Sequence, residues 1–154
     1  MKRLLLILLA GALFFGCGKG NKNQANTNLL IGKWYAVKDT VSNYVNNTLA
    51  SQSTISYHTD ANYVQFNADG SGSQYVSEVN PSYTETFTYS QGADNQLTLN
   101  YPAQIVSGGQ QPASSRTGTI KTLTATSLVV TFNTTETVNG TTENTIETQY
   151  FSSN

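Results

Sequence analysis

The sequence predicts an all-β domain: an antiparallel up-and-down meander of about eight or nine short strands, closed into a barrel or, as the alternative, folded into a β-sandwich. Three observations predict it. Apolar and aromatic residues recur at every second position in short runs, most cleanly at Tyr83, Glu85, Phe87 and Tyr89, with Thr84, Thr86 and Thr88 on the opposite face. Turn residues, among them Asp69-Gly70 and Asn139-Gly140, punctuate those runs at short intervals. Only 11% of the residues are charged, and Thr with nine Tyr supplies side chains that suit a pleated, half-buried surface.

The chain opens with Lys2 and Arg3, then an unbroken apolar run from Leu4 to Leu9 that continues through Phe14, Phe15 and Gly16 to Cys17. A basic start followed by an apolar stretch too short for a lasting membrane helix reads as an export signal over residues 1–16. Residues 17–28 follow, and from Gly18 to Asn28 they carry no large apolar side chain, as a flexible tether would. The folded domain is expected from Leu29 to Asn154.

Leu30 to Val37 alternates as a strand, with Leu30, Gly32, Trp34 and Ala36 on one face. Val41, Tyr44, Val45 and Leu49 then recur at helical spacing, and predict a short helix or, equally, a single helical turn or a loop packed over the domain. A weak strand is expected over Thr54 to His58. Asn62 to Phe66 is a strand presenting Val64 and Phe66, and Asn67-Ala68-Asp69-Gly70 turns it back into Ser73 to Val79. Pro81 breaks the ladder before Tyr83 to Tyr89. Gln96 to Tyr101 puts Leu97, Leu99 and Tyr101 on one face, and Pro102 to Ser115 reads as a long polar loop. Arg116 to Leu123, Ser127 to Thr134 and Thr142 to Phe151 complete the meander.

Composition excludes several function classes. Without Lys2 and Arg3 six cations remain against nine acids, scattered singly, which is not the footprint of a nucleic-acid-binding domain. Cys17 is the only cysteine, so no disulfide can form within the chain, and with His58 as the only histidine the sequence lacks the ligands of a nitrogen- or sulfur-based metal site. No Gly-x-Ser-x-Gly elbow accompanies His58, and no catalytic residue is assigned. No cofactor is expected either.

Gly16-Cys17 at the end of the apolar run resembles the lipobox of bacterial lipoproteins. That resemblance implies cleavage before Cys17, attachment of palmitate-type lipid there, and membrane residence through that anchor. Gly18 after Cys17 favours the outer membrane, and the absence of an acidic run after Cys17 its periplasmic face. Gly32-Lys33-Trp34 resembles the Gly-x-Trp signature of lipocalins. The order Tyr63-Val64-Gln65-Phe66-Asn67-Ala68-Asp69-Gly70, Phe87-Thr88-Tyr89 and Ile120-Lys121-Thr122-Leu123 is similar to the lipocalin-like domains of small bacterial lipoproteins. The resemblance implies a barrel that binds a small, mainly apolar molecule.

If the barrel encloses a cavity, Val64, Phe66, Tyr83, Glu85, Phe87, Tyr89, Leu97, Leu99 and Tyr101 line it; if it is packed solid, the apolar members are its core. Glu85 is the exception, because an unpaired carboxylate is costly to bury. It sits at the barrel mouth in water, or pairs inside with Arg116, Lys121 or a ligand's polar end. A solid barrel would instead suit an interaction, structural or inhibitory protein that meets an envelope partner through its long loops.

Overall fold

The period-two runs become strands of one antiparallel sheet. A computed structural model describes residues 29–57, 61–77, 82–106 and 109–153. The strands are β1 (Gly32–Val45), β2 (Thr48–Ser56), β3 (Tyr63–Phe66), β4 (Ser71–Val76), β5 (Tyr83–Gln91), β6 (Gln96–Tyr101), β7 (Gln104–Val106), β8 (Gly109–Gln111), β9 (Ser114–Leu123), β10 (Ser127–Val138) and β11 (Thr141–Ser152). Sheet order runs β11-β10-β9-β6-β5-β4-β3-β1-β2, and a further β11–β1 pairing closes it. The result is an eight-stranded barrel of β1, β3, β4, β5, β6, β9, β10 and β11, with β2 as an extra strand, and the sandwich alternative falls away. Export leader, Cys17 and tether lie outside the described residues, as does His58.

One end of the barrel is packed solid. Trp34, Phe66, Phe87, Leu97, Leu128 and Val130 are each at most 2% exposed, and with Leu30, Val64, Leu99, Ile120 and Phe132 they form the core. Leu30 lies in a short helical turn before β1, and its carbonyl accepts the Trp34 Nε1–H at 2.8 Å, which satisfies the one polar atom of the buried indole. Phe66, Phe87 and Tyr89 meet edge to face, 5.7 and 5.0 Å between centroids. Two glycines let facing strands carry these rings. A Cβ on Gly72 would meet the Phe87 ring and lie 2.7 Å from the Gln65 carbonyl, and one on Gly118 would lie 2.8 Å from the Phe132 ring.

The strand starts at Tyr83, Gln96 and Ser127 and the strand ends at Phe66, Tyr101 and Leu123 fall where the alternation places them, and the other boundaries differ. The largest difference is at Val41 to Leu49, where no helix, helical turn or packed loop forms. β1 runs on to Val45, turns through Asn46 and Asn47 at φ 48° and 65°, and returns as β2. Asn tolerates left-handed backbone, so Asn46-Asn47 makes a two-residue hairpin turn, and the helical spacing of Val41, Tyr44 and Val45 was coincidental. Asn139-Gly140, at φ 50° and 80°, makes the expected hairpin between β10 and β11. The stretch read as a long loop after Pro102 carries the β7–β8 hairpin.

Beyond the barrel rim the sheet continues as an overhang. Among the described residues β10 pairs with β9 only up to Phe132, and its remainder pairs with β11 alone; β2 pairs with β1 alone. All nine residues of β2 are exposed.

Candidate functional site

Register carries the core face of the sheet upward into a polar layer. Gly72 faces Phe87, and one step along the same face Gln74 faces Glu85 and Val76 faces Tyr83. On β6 and β9, Leu99 stands opposite Arg116. On β10 and β11, Leu128, Val130 and Phe132 stand opposite Phe151, Gln149 and Glu147. The same alternation that buries Phe87 and Val130 therefore turns Glu85, Arg116, Glu147 and Gln149 inward at the open end.

Two cavities occupy that end. One, of about 230 Å3, is lined by Gln74, Glu85, Tyr101, Gln104, Gln111, Pro112, Ser114 and Arg116. The other, of about 160 Å3, is lined by Ala36, Asp39, Tyr57, Asn62, Gln74, Val76, Gln149 and Phe151. Gln74 belongs to both, so the cavities flank one side chain.

Nearly every charge around this opening is already answered. Arg116 Nη2 donates to Glu147 Oε2 at 2.7 Å, and the guanidinium lies 3.7 Å from the centroid of the Phe132 ring. Gln149 Nε2 donates to the other Glu147 oxygen at 2.6 Å, so both carboxylate oxygens are engaged. The Tyr57 hydroxyl donates to Asp39 Oδ2 at 2.8 Å. Glu85 has no hydrogen bond or ion pair among the described residues. Tyr101 stands beside it: burial pushes its hydroxyl up to about 12, opposed by Arg116 and reinforced by Glu85, Glu147 and Tyr83. Burial, then the Glu85 charge, also raises Tyr83. Both phenols are therefore neutral donors at physiological pH.

The side chains read from the sequence divide between two places. Val64, Phe66, Phe87, Leu97 and Leu99 lie in the packed core. Tyr89 lies at the core's edge, its hydroxyl donating to the Asn67 carbonyl at 2.7 Å in the β3–β4 turn. Glu85 and Tyr101 line the opening, and Tyr83 is half-buried on the same face of β5. Arg116 reaches the opening too but pairs with Glu147 rather than with Glu85. Sequence reading missed Gln74, Asp39, Tyr57, Glu147 and Gln149. Glu147 and Gln149 were legible, since both alternate with Phe151 on one strand face.

Gln104, from β7, fills a gap in the wall. β5 and β6 pair only from Thr88 to Gln91, and below that the Gln104 amide bonds the Thr86 backbone in both directions, at 3.0 Å from N–H and 3.2 Å to the carbonyl. A side chain there does the work of a strand and fixes the β7–β8 hairpin as one lip of the opening. Among the described residues no group of three or more His, Cys, Asp or Glu is placed to hold a metal.

A family model described as a lipocalin-like domain matches residues 30–130, from the Trp34 anchor into β10. No curated protein and no solved structure matches the chain.

Proposed function

The chain belongs to the lipocalin-like domain family, and from that premise we propose that it is a lipid-anchored envelope protein that binds a small molecule at the open end of its barrel. A lipocalin-like barrel is a fold suited to small ligands, and the observation that supports one here is the cavity of about 230 Å3 beside Glu85, which has no partner among the described residues. Tyr101, buried on its ring and polar at its tip, offers an apolar wall for the ligand's body, while Gln74, Gln111 and Glu85 receive its polar end. The volume suits a compact ligand, because the rest of the interior is filled with core side chains.

Anchoring rests on the leader and on Gly16-Cys17. Several acyl chains on Cys17 would make membrane residence effectively permanent, whereas one holds only marginally. The full chain should take up labelled palmitate and partition with outer membranes, and Cys17→Ala should do neither. Native mass spectrometry of gently extracted protein should show adducts of defined mass in the small-molecule range. A protein that never carries one, alone or after incubation with envelope extract, would overturn the binding reading.

A second reading has its own support. β2 exposes nine residues, Thr48 to Ser56, with no charge and no proline, along an edge that among the described residues is paired on one side only. Edges left so unguarded are templates for an added strand, as a protein partner in the envelope could supply. Crosslinking at Gln52 that returns no reproducible partner would count against it.

A further inference from the structure

We infer that the ligand of the open end carries an amine, and that its ammonium sits against Glu85. The inference rests on the small-molecule reading above and assigns that ligand a chemical class. It follows from what each charged group at the opening is already doing. Among the described residues Arg116 is the only cation lining either cavity, and it is fixed twice, by Glu147 at 2.7 Å and by the face of Phe132. Its charge is already answered by Glu147, so a ligand carboxylate or phosphate would have to compete with that carboxylate for it. Glu147 has both oxygens engaged, and Asp39 holds the Tyr57 hydroxyl. Glu85 alone lines a cavity and has no partner among the described residues. Opposite it Gln74 adds an amide oxygen as a further acceptor. An anionic ligand would be repelled by Glu85, and a neutral one would leave the carboxylate without an ionic partner. A primary ammonium answers it with up to three donors, while the ligand's apolar body lies along the Tyr101 ring.

The test uses three compounds with one body and different heads: cyclohexylmethylamine, cyclohexylmethanol and cyclohexanecarboxylate. Each is titrated into the full chain in detergent micelles, with binding followed by NMR on the side-chain amides of Gln74 and Gln111. The amine should shift both amides and bind about tenfold or more tighter than the alcohol, and the carboxylate should bind more weakly than either. Glu85→Gln should bring the amine down to the alcohol's affinity, and because Glu85 holds no other residue in place, the variant should keep the wild-type spectrum elsewhere. Asp94→Asn, on the turn before β6, should leave the preference intact and so exclude a general attraction of amines to an acidic protein. Equal or tighter binding by the alcohol or the carboxylate overturns the amine assignment and leaves the small-molecule reading standing. So does an amine preference that survives Glu85→Gln. If none of the three moves those amides the amine assignment falls, and the small-molecule reading falls with it only if native mass spectrometry also finds no adduct.

Discussion

At the scale of single residues, two positions show how tightly the interior is specified. Gly72 is a core residue because it has no side chain: the Phe87 ring occupies the volume a Cβ would need, and the Gln65 carbonyl lies 2.7 Å from that position. Gly72→Ala therefore has to displace either the ring or the β3–β4 backbone. Overpacking of this kind costs about 1–3 kcal/mol, and urea denaturation should show it as a lowered midpoint at unchanged slope. Tyr101 makes a different prediction. Its hydroxyl titrates near 12 in the folded chain, against about 10 for an unfolded tyrosine. A group whose folded value is raised contributes stability in full below the unfolded value and loses it as pH climbs through the folded one. Stability should thus fall between about pH 10 and pH 12, and Tyr101→Phe should flatten that decline. Absorbance at the phenolate band, followed alongside unfolding, measures both. Tyr83 and Tyr89 are shifted in the same direction, so the slope should shrink without vanishing.

At the scale of elements, the overhang is where the sheet is least resolved energetically. Glu136 on β10 and Glu143 on β11 are direct register partners, both exposed, beside Thr134 and Thr145. Like charges placed opposite one another oppose pairing, and an opposite-charge pair contributes about 0.2–1 kcal/mol. Glu136→Lys should raise the urea midpoint modestly, and the gain should shrink at high salt. The double variant Glu136→Lys, Glu143→Lys should lose it. This region was also the least legible in the sequence. Alternation is a strong signal only where an apolar face is buried, as at Phe87 or Val130; in this part of β1 the buried residue is the polar Ser42, so Val41, Tyr44 and Val45 carried no period-two message. What marked the hairpin was Asn46-Asn47, whose capacity for positive φ outweighs the spacing of its neighbours. The β7–β8 hairpin was hidden for a related reason, since Gln104 is held by its side-chain amide rather than by an apolar pattern.

At the scale of the whole molecule, the barrel depends on a contact that local sequence does not announce. β1 pairs with β11 from Tyr35 opposite Ser152 to Val45 opposite Glu143, joining residues more than ninety positions apart in the chain. The meander could be read from turns and alternation, but closure required that Trp34 and Leu128, each at most 2% exposed, share one core with Phe151 packed against it. The polar layer above was legible only in part for the same reason: Glu85 stood out on its own strand, whereas its isolation follows from Arg116 choosing Glu147 on another. With Cys17 as the only cysteine, no disulfide holds the ring shut, so the last strand must do it by pairing and burial. Deleting residues 148–154 removes Phe151 from its place against the core together with Gln149 at the opening, and leaves the inner edges of β1 and β10 unpaired. Such a chain should lose the cooperative thermal transition by circular dichroism. Ser153→Ala, which forfeits only the bond from its hydroxyl to the Ala125 carbonyl at 2.9 Å, should keep the transition at a cost near 1 kcal/mol. If the truncated chain melted as sharply as the full one, closure by β11 would not be what stabilises the fold, and the open end could not be a site held rigid by the ring beneath it.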